Sequence, residues 1–223
     1  MRMGLISCIA FLIVLFLAVT TSPVFGNDAD MLQDICVADS TSEVKLNGFA
    51  CKNAANITAE DFFFGGISKP GLTNNTMGSL VTGANVEKIP GLNTLGVSMG
   101  RIDFAPGGLN PPHTHPRATE MIFVMYGELD VGFITTTNKL IAKHIKVGET
   151  FVFPKGLVHF QKNNGDKPAA VITAFNSQLP GTQSIAATLF TSIPPVPDHV
   201  LTMAFQIGTK QVDKIRDRLS PKK

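Results

Sequence analysis

Three histidines and one glutamate stand in two separated motifs, and their spacing constrains the fold of this chain more than any other feature. The first motif runs Gly107-Gly-Leu-Asn-Pro-Pro-His113-Thr-His115-Pro-Arg-Ala-Thr-Glu120, and the second runs Gly148-Glu-Thr-Phe-Val-Phe-Pro154-Lys-Gly156-Leu-Val-His159. His113 and His115 are two residues apart, so on a β-strand their side chains point to the same face. His159 follows Glu120 by 39 residues, and only a folded sheet could bring it to the other three.

The four side chains together make a donor set for one metal ion. Three imidazole nitrogens and one carboxylate oxygen, with no thiolate, favour a borderline or hard divalent ion over a soft structural site. An octahedral ion would keep two positions for water or a small oxygen ligand, so the site could be catalytic. Asn110 either places an amide beside those positions or caps a turn. Four apolar residues are expected to surround the site, or simply to form core: Met99, Met121, Phe151 and Phe153.

The other two histidines are expected on the surface. His144 lies in the stretch Leu140-Ile-Ala-Lys-His-Ile145 and should face solvent. His199 follows Asp198, which is a plausible N-cap at the start of a helix.

The two motifs resemble those of the cupins. Gly107-x5-His113-x-His115-x4-Glu120-x6-Gly127 is similar to the first cupin motif, and Gly148-x5-Pro154-x-Gly156-x2-His159-x3-Asn163 to the second. Within the cupins, Gln33-Asp-Ile-Cys36-Val-Ala-Asp39 resembles the N-terminal signature of the plant germins and germin-like proteins. The resemblance implies an all-β jelly-roll barrel in the cell-wall space that binds Mn²⁺ through His113, His115, Glu120 and His159. It also implies a homo-oligomer, expected to be a hexamer built as a trimer of dimers.

The resemblance implies two competing activities. Oxalate oxidation in the true germins uses two asparagines; one matches Asn110, but the other falls at Gly100, which has no side chain. A lost amide beside a buried dianion costs roughly 1–3 kcal/mol, so oxalate oxidation is disfavoured. Superoxide dismutation needs only an open position on a redox-active ion. The expected function is therefore a secreted, manganese-dependent superoxide dismutase in plant defence or cell-wall oxidation.

Two alternatives come from other classes. The protein could be a non-enzymatic structural or interaction component of the cell wall, whose metal only stabilises the barrel. A nucleotide-sugar pyrophosphatase or phosphodiesterase is also known in the family, but no phosphate-cradling Gly-rich loop or Arg cluster supports that reading here.

The first 26 residues are predicted to be a secretory signal peptide. Arg2 precedes an apolar run from Ile6 to Val19, and Ser22-Pro-Val-Phe-Gly26 closes the segment. Cleavage is expected near Gly26, with Ser22 as the alternative. The run is short for a membrane span, and no later stretch reaches the roughly 20 apolar residues that a span needs, so no membrane attachment is expected after cleavage.

Secretion changes the interpretation of the cysteines and of two asparagines. Cys8 lies in the signal, which leaves Cys36 and Cys51 to pair in an oxidising compartment; buried free thiols are the alternative. The bond would contribute roughly 3 kcal/mol by the chain-entropy model. Asn56-Ile-Thr58 and Asn74-Asn-Thr76 are sequons for N-glycosylation.

Charge excludes one class of partner. The formal net charge is +2, which gives no basis for nucleic-acid binding. The basic segment from Lys210 to Lys223 is read as a solvated helix face, with weak contact to acidic wall polysaccharide as the alternative.

Short strand patterns separated by Gly and Pro fill the middle of the chain and predict a barrel or sandwich. The expected organisation is an N-terminal disulfide arm over 27–60, a cupin barrel over 61–180 and a helical oligomerisation segment over 181–223.

A short helical turn is expected at Thr58–Asp61 and a surface loop over Gly65–Gly78. The predicted strands are Thr94–Phe104, Glu120–Tyr126, Glu128–Thr135, Lys139–Val147, Thr150–Phe153, Leu157–Lys162 and Ala169–Ser177. The predicted helices are Ser184–Thr191, Asp198–Ile207 with a stop at Gly208, and Gln211–Leu219 with Val212, Ile215 and Leu219 on one side.

Overall fold

Two five-stranded antiparallel sheets pack face to face in the computed structural model, which describes residues 33–45 and 47–220. The expected signal peptide and Cys8 lie outside the described residues. The first sheet consists, in spatial order, of β1 (Ser79–Ala84), β2 (Ser98–Phe104), β9 (Ala169–Phe175), β4 (Glu120–Tyr126) and β7 (Thr150–Phe153). The second consists of β10 (Gln183–Ser184), β3 (Leu109–Thr114), β8 (His159–Lys162), β5 (Glu128–Ile134) and β6 (Leu140–Lys146). The expected jelly-roll barrel is therefore confirmed.

The barrel core follows from the alternation of side chains along each strand. On β4, Ile122 and Val124 point inward and are fully buried, whereas Met121 and Phe123 point outward and are about half exposed. The inward rows of β2, β4, β5, β6, β7 and β9 contribute to one apolar cluster between the sheets. Its buried members are Ile102, Phe104, Ile122, Val124, Leu129, Val131, Ile145, Phe153, Ala169 and Val171.

The strand predicted over Thr94–Phe104 begins only at Ser98. Thr94 and Gly96 both have positive φ angles, 67° and 68°, so the chain turns there and cannot continue as a strand. Leu95 and Val97 are correspondingly exposed. Strand β1 was not predicted at all, because Gly83 interrupts its apolar run.

The N-terminal arm is attached to the barrel next to its disulfide. The bond between Cys36 and Cys51 is present, as predicted, and Val37 beside it is fully buried. Asn93, also fully buried, exchanges two hydrogen bonds with the backbone of Phe49: its Nδ2 donates to the carbonyl at 2.8 Å and its Oδ1 accepts from the N–H at 3.1 Å. The expected turn at Thr58 is a 3₁₀ helix over Ala59–Phe62 that begins with a capping box.

The C-terminal segment forms three helices, α1 (Ile185–Phe190), α2 (Asp198–Phe205) and α3 (Thr209–Leu219). They share a small core of their own, built around Phe190, Leu201 and Val212 and completed on α3 by Ile215 and Leu219. The predicted apolar side of the last helix is therefore confirmed.

The second helix begins at Asp198, as expected, but the expected N-cap and the expected stop are wrong. Pro197 occupies the cap position of α2, so Asp198 is its first helical residue; its carboxylate pairs with Arg216 at 2.5 Å. The helix ends at the left-handed residue Gln206, and Gly208 caps the start of α3. Among the residues the structure describes, no helix is both long enough and apolar enough to cross a bilayer.

Candidate metal centre

The barrel brings the four predicted ligands together in its interior. His113 is on β3 and His159 begins β8, where the two residues are directly opposite each other in the register. His115 follows the end of β3, and Glu120 begins β4 in the facing sheet. One ligand atom from each of the four residues lies within 4.8 Å of all the others, and each residue is at most 5% exposed. This arrangement can close around a single metal ion.

The turn between His115 and Glu120 is held by hydrogen bonds to neighbouring loops. The N–H of Gly156 donates to the carbonyl of His115 at 3.1 Å, which ties the second motif to the first. The N–H of Thr119 donates to Oδ1 of Asn176 at 2.8 Å. These contacts place Glu120 at the start of its strand on the inward face.

Backbone carbonyls fix the orientation of all three imidazole rings. Nδ1 of His113 lies 2.7 Å from the carbonyl oxygen of Pro111, Nδ1 of His159 lies 2.8 Å from that of Leu157, and Nδ1 of His115 lies 2.5 Å from that of Gly181. A carbonyl oxygen can only accept a hydrogen bond, so each Nδ1 carries the proton. The lone pair of a neutral ring is then on Nε2, where a metal would bind.

This protonation pattern makes the centre a site for a cation. Oε2 of Glu120 lies 2.9 Å from Nε2 of His159 and 3.2 Å from Nε2 of His115. With neutral rings, nitrogen lone pairs face a carboxylate oxygen inside the barrel, which is unfavourable unless a positive charge lies among them. Either additional protons or a metal ion can supply that charge. The donor set therefore fits a divalent metal.

The electrostatics of the site favour neutral His113 and ionised Glu120. Burial, followed by the nearby charge of His159, lowers the pKa of His113 to about 4. Burial alone would raise the pKa of the Glu120 carboxyl, but the hydrogen bonds that it accepts from His115 and His159, when these rings carry the additional protons, outweigh burial and lower it to about 2. Both residues are thus in their metal-binding forms near neutral pH.

An irregularity in β3 determines where Asn110 points. Asn110 pairs with Gln161, and His113 pairs with His159, so three steps on β3 match two steps on β8. In a regular strand, residues three apart face opposite sides, whereas the extra residue of this bulge brings both side chains inward. Asn110 thus lines the cavity beside the ligands, and its Nδ2 donates to Oε1 of Gln161 at 2.7 Å.

The second oxygen of Glu120 has its own partner. The hydroxyl of Thr173, on the central strand β9, donates to Oε1 of Glu120 at 2.6 Å. Thr173 is fully buried. Neither Thr173 nor Gln161 was identified from the sequence. Both residues could have been recognised from the sequence, since each is a polar residue at an inward-facing position of a predicted strand.

Aromatic rings surround the ligands and limit the access of water. Phe153 stacks on His159 with ring centroids 4.5 Å apart, and Phe175 meets the edge of His115 at 4.8 Å. Phe151 packs against the core cluster, so the expectation for Phe151 and Phe153 holds. The expectation for Met121 is wrong, because it is one residue from Glu120 on the same strand and points out of the barrel.

A cavity of about 300 Å³ opens beside the ligands. It is lined by Asn110, by Met99 at its exposed side and by Gly100, the position at which the resemblance to the germins implies a second asparagine. A Cβ atom at Gly100 would lie 3.0 Å from Cγ2 of Thr173 and 3.1 Å from the carbonyl oxygen of Thr82. A side chain at position 100 would therefore crowd Thr173 and the backbone of Thr82.

The other predicted sites lie on the surface. His144 and His199 are both exposed, as predicted. Nδ1 of His144 lies 2.8 Å from Oδ1 of Asp130 on the outer face of the second sheet, and this hydrogen bond raises the pKa of His144. Asn56 and Asn74, the asparagines of the two sequons, are exposed; their glycosylation stays a prediction.

Comparison with known proteins supports the interpretation of the motifs. The Cupin family (Cupin_1) matches residues 65–213. The chain is 70% identical to germin-like protein 5-1 of Oryza sativa subsp. japonica, over 96% of both chains, and 73% identical to the rhicadhesin receptor of Pisum sativum, over 87% of this chain and 90% of that one. A solved structure of recombinant oxalate oxidase in complex with glycolate is similar with a TM-score of 0.83 and 46% identity, over 86% of this chain and 98% of that one. With its two motifs, its barrel and these relatives, the chain belongs to the germin-like proteins of the cupin family.

Proposed function

We propose that this germin-like protein is a secreted, manganese-dependent superoxide dismutase that acts in plant defence or cell-wall oxidation. The observation that carries the proposal is the convergence of three imidazole Nε2 atoms and one carboxylate oxygen in a buried site beside an open cavity. Manganese held by these residues would supply a one-electron couple, so that two superoxide ions and two protons give one dioxygen and one hydrogen peroxide.

The residues around the ligands support this chemistry in three ways. The carbonyls of Pro111, Leu157 and Gly181 keep each imidazole in the form that binds a metal. The rings of Phe153 and Phe175 exclude bulk water from the ligands. Because Nδ2 of Asn110 is engaged with Gln161, its Oδ1 is free to accept a hydrogen bond from the exchangeable ligand.

Oxalate is the less suitable substrate for this cavity. One structural relative is an oxalate oxidase by name, but Gly100 offers no amide here. No Lys or Arg is among the described residues that line the cavity, so an oxalate dianion would have no cationic side chain beside it. A diatomic anion such as superoxide requires fewer contacts with the cavity wall, since it needs only an open coordination position on the metal and an electron.

The decisive experiment measures metal content and superoxide removal on the same purified sample. Manganese-loaded protein should remove superoxide faster than the same concentration of free manganese. Zinc-loaded protein should be inactive, because zinc has no redox chemistry. If manganese-loaded protein is no faster than free manganese, the enzymatic proposal is wrong.

A second candidate function is a non-enzymatic role in the cell wall. It is favoured by the relative from Pisum sativum, which is a receptor by name and shares 73% identity. On this proposal the metal only stabilises the barrel. Manganese would then raise the melting temperature of the protein without superoxide turnover, which separates the two candidates.

Secretion is proposed from the expected signal peptide together with the disulfide and the exposed sequons. The bond between Cys36 and Cys51 suits an oxidising compartment. N-terminal sequencing of the secreted protein should begin near Asn27. Peptide mapping should find glycan on Asn56 or Asn74.

Assembly into a hexamer, as a trimer of dimers, is proposed from the family and is supported by exposed apolar side chains. Met121, Phe123 and Val152 lie on the outer face of the first sheet, each 46–48% exposed, and Met203 on α2 is 76% exposed. Apolar areas of this kind favour contact with another subunit. Light scattering that showed a stable monomer at micromolar concentration would contradict this proposal.

A further inference from the structure

Thr173 stands out among the inward-facing residues of its strand. The inward row of β9 reads Ala169, Val171, Thr173, Phe175, so one hydroxyl lies in an otherwise apolar row. Thr173 has no exposed surface. A buried hydroxyl costs free energy unless it forms a hydrogen bond, and its partner here is Glu120, at 2.6 Å.

The sheet register explains why this contact forms. On β4 and β9, Glu120 pairs with Phe175 and Ile122 pairs with Thr173, so Glu120 and Thr173 are diagonal neighbours. On the other side of β9, Thr173 pairs directly with Gly100 of β2. Gly100 has no side chain, and a Cβ atom there would lie 3.0 Å from the methyl group of Thr173, closer than ordinary van der Waals contact.

The two oxygens of Glu120 therefore have different surroundings. Oε1 accepts the hydrogen bond from Thr173, whereas Oε2 faces Nε2 of His159 and of His115. With Oε1 directed at Thr173, Oε2 is the oxygen that faces the imidazole nitrogens. Rotation to present both oxygens would break the bond to Thr173.

We propose that Thr173 is a positioning residue that fixes Glu120 as a one-oxygen metal ligand, and that Gly100 is the position that makes room for it. This inference rests on the proposed metal site and not on the proposed activity. It also gives the Gly100 position a role: its lack of a side chain allows Thr173 to hold the carboxylate.

The test compares variants of the full secreted protein by manganese affinity. Thr173→Val keeps the shape of the side chain and removes the hydroxyl. Thr173→Ala also removes the hydroxyl, and its smaller side chain cannot crowd its neighbours. Thr173→Ser keeps the hydroxyl and removes the methyl group. Changes in the partners of metal ligands typically cost 10–100-fold in affinity. Val and Ala should therefore weaken Mn²⁺ binding at least about tenfold, and Ser should stay within about threefold of wild type. Thr191→Val is a matched control, because the hydroxyl of Thr191 bonds to Ala187 within the helical segment.

A spectroscopic readout and a double-variant cycle distinguish positioning from packing. The Mn²⁺ electron paramagnetic resonance spectrum should change in Thr173→Val and be restored in Thr173→Ser. In a Glu120→Gln background, Thr173→Val should weaken binding little further, because the residue acts through the carboxylate. Metal-free samples should melt cooperatively in every variant.

Three results would overturn the proposal. Thr173→Val could bind Mn²⁺ as tightly as wild type with an unchanged spectrum, or Thr173→Ser could be as weak as Val, which would assign the effect to the methyl group. Wild type that binds no manganese would overturn both this inference and the proposed function. Wild type that binds manganese but does not remove superoxide would overturn only the activity.

Discussion

Asn110 and Gln161 form an amide pair on the wall of the metal site, in which Nδ2 of Asn110 donates to Oε1 of Gln161 at 2.7 Å. Gln161 is fully buried, and its Nε2 has no partner among the described residues. The pair therefore fixes which atom of Asn110 faces the cavity. Gln161 is not among the residues that line the cavity, so it acts on the site through Asn110.

The first prediction concerns this pair. Gln161→Met should keep manganese content near wild type and lower superoxide turnover per bound manganese roughly three- to tenfold, the effect of losing one hydrogen bond. Asn110→Ala should lower turnover to a similar extent, and the double variant should be no worse than either alone. Loss of manganese from Gln161→Met would show that the residue supports the metal directly.

The second prediction concerns His159, the proposed metal ligand of the second motif. His159→Ala removes one metal donor and the ring that stacks on Phe153, so it should lose manganese and activity together. His144→Ala is the matched control, because His144 is exposed on the outer face of the barrel. Its manganese content should equal that of wild type. Elemental analysis of both variants checks the prediction, and full manganese occupancy in His159→Ala would contradict the ligand set.

The third prediction concerns oxalate specificity. Gly100→Asn alone should lower manganese affinity, because its Cβ would press on Cγ2 of Thr173, which holds Glu120. Adding Thr173→Ser removes that methyl group and keeps the hydroxyl, so the double variant should recover much of its manganese. It is the variant in which oxalate-dependent release of hydrogen peroxide should be sought. Normal manganese affinity in Gly100→Asn alone would show that the strands adjust without cost.

The fourth prediction concerns the stability of the metal-free protein in acid. The pKa of His113 falls from 6.5 to about 4 on folding. Between these values the unfolded chain binds a proton that the folded chain does not, so the free energy of unfolding should decrease as the pH falls from 6.5 to 4. Glu120, with a pKa lowered from 4.5 to about 2, extends the loss below pH 4.5.

Urea unfolding in the presence of a chelator, at a series of pH values, checks this fourth prediction. His113→Gln cannot take up the proton and should flatten the part of the profile between pH 6.5 and 4. A wild-type profile that is flat across this window would contradict the assignment of a neutral, buried His113.

The fifth prediction concerns the N-terminal arm. Replacing Cys36 and Cys51 together by serine should lower the free energy of unfolding by roughly 3 kcal/mol, because the disulfide limits the freedom of the unfolded chain. Urea unfolding of the double variant measures the difference. Wild type treated with a reductant should show the same loss, and equal stability of oxidised and reduced protein would contradict it.

The ligand set was accessible from the sequence because its spacing is local in each motif. His113 and His115 share a face by strand periodicity, and each motif has the glycines and prolines that a turn requires. The strands from Glu120 to Phe153 were placed within one or two residues because Gly127, Gly148 and Pro154 mark their ends.

The supporting contacts depend on register, which is a property of the folded sheets. Thr173 reaches Glu120 only because β9 lies beside β4 in one particular alignment. The carbonyl of Gly181 reaches His115 across 66 residues of sequence. Met121 was placed on the wrong face because its apolar character suits either side of the strand, and only its position next to the inward Glu120 decides between them.

The bulge at Pro111 and Pro112 gives β3 one residue more than β8 between Asn110 and His113. Deleting one of the two prolines would leave Asn110 two residues before His113 in a regular strand, where both side chains still face inward. The bulge therefore changes the length of β3 without changing which side chains line the site. Among relatives, a length difference of one residue at this point would be compatible with the same ligands and the same wall.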